Sequence, residues 1–174
     1  MKNIFFFKNI STGIWLLLFS IGAVTACEQS EKDTEKPVID LSVAGAFPLN
    51  CDTLWFGEPF TFVAQLSDNI ALGAYTIEIH HNFDHHSHST EVSTCALLPK
   101  KIAINPYHYI QDYEIPSGLN STRAELQLVI PITGQKGNFD DGDYHFYIGL
   151  TDQEGWSAQR GLNIKILHRN SDPS

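Results

Sequence analysis

From residue 37 onward, apolar and polar residues alternate in short runs with a period of two, the pattern of strands that bury one face. The first run is residues 37–43, whose leading Pro37 suits an edge strand. In residues 60–66, Phe60, Phe62, Ala64 and Leu66 share one face, and Ser67-Asp68-Asn69 supplies the turn that ends the run. Residues 75–80 alternate cleanly, with Tyr75, Ile77 and Ile79 inward and Thr76, Glu78 and His80 outward. Residues 123–130, stopped by Pro131, residues 144–151 and residues 162–167 complete the series. No segment sustains a helical period, so the pattern predicts little helix. Residues 89–121, interrupted by Pro99, Pro106 and Pro116, predict a broken strand and a long connection.

About seven short strands separated by turns predict an all-β protein, an immunoglobulin-like or fibronectin-like β-sandwich. Residues 142–155 resemble the penultimate strand of bacterial immunoglobulin-like repeats, with an acidic turn, Tyr144 near the strand start and a closing Asp152-x-x-Gly155. That resemblance makes strands 75–80 and 144–151 antiparallel neighbours in one sheet.

The N-terminus is different. Lys2 and Lys8 precede an apolar run from Ile14 to Val24 that is short for a bilayer span and suits a signal peptide. Val24-Thr25-Ala26-Cys27 resembles the lipobox of bacterial lipoproteins. The implied organisation is a signal peptide over residues 1–26, a lipidated Cys27 opening a solvated acidic tether over 27–36, a sandwich domain over 37–168 and a disordered tail over 169–174. The acyl chains on Cys27 imply a membrane anchor. The acidic stretch after Cys27 also resembles a surface-export signal, which implies an outer-membrane, lipid-anchored protein exposed at the cell surface. Outside the cytoplasm the two remaining cysteines, Cys51 and Cys95, are expected to form a disulfide.

The chain has 174 residues, 43% hydrophobic and 18% charged, with a formal charge of −9. A globular domain fits those figures and a disordered chain does not. The acidic balance excludes a nucleic-acid binder, which needs a basic face to displace counterions. No phosphate loop, nucleophile elbow or His-Glu-x-x-His helix occurs, so the reading is a binding protein, not an enzyme.

Histidine is the chemical signal. Five of the eight histidines lie in the stretch His80-His81-Asn82-Phe83-Asp84-His85-His86-Ser87-His88. In an extended loop His86 and His88 point to one side and His85 to the other. His80 faces outward at the end of its strand. If strands 75–80 and 144–151 are neighbours, His145 arrives on the same face at the same end. His80, His86, His88 and His145 then converge, with Asp84 as a carboxylate ligand or an acceptor behind a histidine. Imidazole-rich sets suit zinc first, then copper or nickel. His108 and His168 read as surface residues. Asp140, Asp141 and Asp143, with Asn138, offer oxygen donors for calcium but lack regular ligand spacing and read as a structural turn.

The lipobox, Ser67-Asp68-Asn69, the stretch His81-Asn82-Phe83-Asp84-His85-His86-Ser87-His88 and the Tyr144-His145-Phe146 strand together resemble a family of uncharacterised bacterial lipoproteins with one immunoglobulin-like domain. The resemblance implies a fold and a location, and no activity. The expectation is an envelope lipoprotein that captures a transition metal or delivers it to an outer-membrane transport or surface complex. The competing expectation is a metal-independent interaction or carbohydrate-binding accessory module, using the aromatic loop around Tyr107 and Tyr109.

Overall fold

The computed structural model describes residues 32–169. The signal peptide, Cys27 and the first residues of the tether lie outside the described residues, as do residues 170–174 of the tail. Ten strands and no helix form the described region: β1 (Val38–Asp40), β2 (Thr53–Trp55), β3 (Pro59–Ser67), β4 (Leu72–His81), β5 (Tyr109–Glu114), β6 (Ser121–Val129), β7 (Thr133–Gly134), β8 (Gly137–Asn138), β9 (Gly142–Asp152) and β10 (Ser157–Leu167). The six runs legible in the sequence are β1, β3, β4, β6, β9 and β10.

The strands form an all-β sandwich. One sheet has the order β1-β3-β6 and the facing one β2-β10-β9-β4-β5, while β7 and β8 make a separate hairpin. β1 is an edge strand, as its flanking proline predicts. Phe62 of the smaller sheet stacks on Phe146 of the larger, ring centroids 5.8 Å apart, and both are fully buried. Ile77, Ile79, Ile148, Leu162 and Ile166 fill the layer around them. Each such side chain contributes about 1.5–3 kcal/mol by leaving water, and this fixes which face of every strand turns inward.

Residues 82–108 are a long connection between β4 and β5, and β5 is the strand hidden in the proline-broken region. Such a loop needs fastening. The Cys51–Cys95 disulfide joins it to the segment ahead of β2, with Cα atoms 5.3 Å apart. Asn50 Nδ2 donates to Ser93 O at 2.9 Å, and Asn50 Oδ1 accepts from Asn163 N of β10. Further along, the acidic turn takes over. Asp143 Oδ2 accepts from Leu98 N, and Asp140 Oδ2 accepts from Ile104 N and Asn105 N, each at 2.7 Å. Asp141 pairs with Lys101. These carboxylates are held by backbone amides and a lysine, the structural turn their spacing suggests.

Two expectations need correction. Asp33 lies in the stretch read as a solvated tether, yet it is buried, and its backbone carbonyl accepts from the Trp156 indole at 3.3 Å. Compact structure therefore starts ahead of residue 37. His168 is not a free surface residue: its ring stacks on Phe56 at 4.5 Å, and its Nε2 bonds Phe139 O at 2.8 Å.

The disulfide closes a loop spanning 44 positions, so Cys51→Ser/Cys95→Ser is expected to lose up to ~4 kcal/mol of stability. Urea unfolding of the variant beside the oxidised protein measures the loss.

Candidate metal centre

β4 and β9 run antiparallel with His80 directly opposite His145. Ile79 and Phe146, the adjacent pair, point into the core, so both imidazoles emerge on the outer face of the larger sheet. In the next row on that face Glu78 lies opposite Tyr147, and Tyr147 opposite Gly161 of β10.

The loop then brings two more histidines over that face. His85 takes a left-handed conformation (φ 62°) that reverses the chain, and its Nε2 lies 3.5 Å from Asp143 Oδ2. The chain next crosses β10 at Gly161, where Thr90 N donates to Gly161 O and Gly161 N donates to Thr90 Oγ1. A Cβ at residue 161 would sit 2.3 Å from His88 O, so only glycine lets the loop lie this close.

His80, His86, His88 and His145 consequently form a tetrad. Their ring centroids lie 4.8–5.8 Å apart in all pairings. One ligand nitrogen from each lies within 4.8 Å of the other three. His88 Nδ1 and His80 Nε2 face each other at 3.3 Å. With Zn–N bonds of about 2.0–2.1 Å, the edge of a zinc tetrahedron is also about 3.3 Å.

The surroundings aim the lone pairs. Glu78 Oε1 lies 2.9 Å from His80 Nδ1, an ion-pair approach outside hydrogen-bond geometry, and its charge favours a proton on that nitrogen over Nε2. Asp84 Oδ1 accepts from His86 Nδ1 at 2.5 Å, leaving that ring's Nε2. His145 Nε2 donates to His86 O at 3.2 Å, while its Nδ1 is buried with no partner among the described residues. An orphaned imidazole nitrogen inside a ring of imidazoles fits a bound transition metal. Asp84 is therefore not a ligand in this arrangement. It is exposed, it lies outside the tetrad and it serves as the acceptor that orients His86. Glu78 plays the same part for His80 and was missed in the sequence, although two-residue spacing on one strand already put it beside His80.

Burial sets the protonation. His145 is 1% exposed, and its pKa is pushed down to about 4, first by loss of water and further by the neighbouring imidazoles, against the pull of the His86 carbonyl. His80 is also lowered, by burial, although Glu78 opposes the shift. The hydrogen bond from His86 holds the Asp84 carboxyl below its usual range. Neutral imidazole is the form that ligates. Access remains on one side, through a cavity of about 320 Å³ lined by Glu78, His80, His88 and Tyr147.

The aromatic loop does not offer a stacking platform. Tyr107 is buried, and its ring packs edge-on against Phe139 at 5.2 Å. Tyr109 gives its hydroxyl to a 2.6 Å hydrogen bond with Tyr113. His108, the third member of that group, is exposed.

In the unfolded chain a histidine titrates near 6.5, whereas folded His145 resists protonation until about pH 4. Its contribution to metal-free stability is thus fully present above pH 6.5 and is lost as pH falls from 6.5 towards 4. The expected loss between pH 7 and pH 5 is on the order of 1–2 kcal/mol after solvent screening, and it shrinks in His145→Gln. Denaturant titrations at the two pH values check both statements.

No curated protein matches the chain. A family model does, over residues 25–167, a span that holds every residue of the tetrad and both disulfide cysteines. The chain belongs to that family, which is defined by a domain of unknown function, DUF4625.

Proposed function

We propose that this protein is an envelope lipoprotein that captures a transition metal, zinc first and copper or nickel next, for buffering or for delivery to a transport partner. The observation that carries the reading is the tetrad: four imidazoles from two strands and one loop, two of them backed by carboxylates, with ligand nitrogens within 4.8 Å of one another. Carboxylate–histidine pairs of this kind raise ligand basicity and fix the ring. The open side at His80 and His88 favours exchange over a sealed structural ion. Tetrahedral nitrogen donors suit zinc, while the affinity order among divalent ions favours copper, so cellular supply decides between them.

The location belongs to the same reading. Val24-Thr25-Ala26-Cys27 supplies the acylated cysteine, and the charged residues that follow supply a spacer to the outer membrane. The family match opens at residue 25, so it takes in Cys27 as well as the domain. We read the site as a binding site and not a catalytic one, because Glu78 and Asp84, the carboxylates beside the tetrad among the described residues, are engaged by His80 and His86.

The full-length chain in detergent, stripped with a chelator, is expected to bind one Zn²⁺ in competition titrations. His86→Ala/His88→Ala should weaken that binding by more than ~100-fold, and Glu78→Gln alone by about 10–100-fold. Weak binding that both variants share with the parent would sink the reading. Protease treatment of intact cells tests the surface location: a domain left whole places it on the inner side of the membrane.

A further inference from the structure

A second cluster of donor groups lies at the other end of β9. Asp152 closes that strand, Glu154 follows in the turn to β10, and Asp33 folds against both from the segment ahead of β1. One carboxylate oxygen from each lies within 4.8 Å of the other two. Asp33 and Asp152 are 2% and 5% exposed, and Oδ2 of each is a buried oxygen with no hydrogen-bond donor among the described residues.

Their other oxygens are engaged and set the orientation. Asp33 Oδ1 accepts from Glu35 N at 2.9 Å and from Asn69 Nδ2 at 3.1 Å. Asp152 Oδ1 accepts from Trp156 N at 2.8 Å. No lysine, arginine or histidine among the described residues forms an ion pair with any of the three. Two buried carboxylates, each with an oxygen that no donor among the described residues reaches, and a third within 4.8 Å of both, repel unless a cation sits between them. The donor set is all oxygen and carries three negative charges, which suits a hard divalent ion. Calcium accepts irregular sets of six to eight oxygens that bidentate carboxylates and water complete, whereas magnesium demands a near-ideal octahedron.

We propose that Asp33, Asp152 and Glu154 form a calcium site that clips the segment leading into the domain onto the β9–β10 turn. Trp156 reports on it directly, since its backbone amide binds Asp152 and its indole binds Asp33 O.

The test uses the full-length chain in detergent, freed of metal by a chelator and titrated with Ca²⁺ while tryptophan fluorescence and thermal unfolding are followed. The expected result is a saturable fluorescence change with a Kd between about 10⁻⁵ and 10⁻³ M. The melting temperature should rise by about 3–6 °C at saturation. Asp33→Asn/Asp152→Asn, which keeps the size and one acceptor of each side chain, should abolish both responses and leave zinc binding unchanged. Exposed Glu154→Gln should weaken calcium about 10-fold and serves if the double variant does not fold. No response up to ~10 mM Ca²⁺ would overturn the site. So would a response that is unchanged in both variants, or one lost in His86→Ala/His88→Ala, which would place calcium at the imidazoles.

Discussion

The register of β4 against β9 is the constraint on which the rest depends. Ile77 pairs with Ile148 and Ile79 with Phe146, and all four are buried between the two sheets. A slip of one residue would turn these side chains to the outer face and drive His80 and His145 into the core, at a cost of many kilocalories. The apolar layer therefore positions the two imidazoles as strictly as it positions itself. The imidazole tetrad inherits its rigidity from hydrophobic packing on the opposite side of the same strands.

The other half of the tetrad comes from a loop, and loops have no such layer to place them. Here the work is divided among a covalent bond, a missing side chain and a set of carboxylates. The disulfide ties the loop to the chain ahead of β2, Gly161 lets the backbone lie flat on β10, and Asp140 and Asp143 gather the amides of residues 98–105. Burial beneath this loop strips water from His145 and keeps it neutral, the form a metal requires. Fold and site chemistry are coupled through that one buried ring.

The acidic residues divide by what reaches them. In the turn ahead of β9 backbone amides and a lysine meet every carboxylate, so the charge is spent on holding the loop. At the far end of β9 two buried carboxylate oxygens meet no donor. Seven positions of extended strand, roughly 23 Å, separate His145 from Asp152, enough for soft nitrogen donors and hard oxygen donors to act independently.

Alternation by itself determined six strands, the inward and outward faces of residues 75–80 and 144–151, and hence the outward placement of His80 and His145. Those are local facts, because a period of two is written in consecutive residues. The strands β2 and β5 were not legible: Thr53–Trp55 is too short to show a period, and Tyr109–Glu114 carries exposed polar residues on an edge where one flank has no partner. Only the tertiary structure decided that Asp84 stands behind His86 instead of ligating, that Glu78 joins it in that part, and that Asp33 leaves the tether to meet Asp152. Each of these turns on a distance between residues whose separation in sequence, or whose turn geometry, no periodicity encodes. Spacing can say which side chains share a face; only packing says which of their atoms meet.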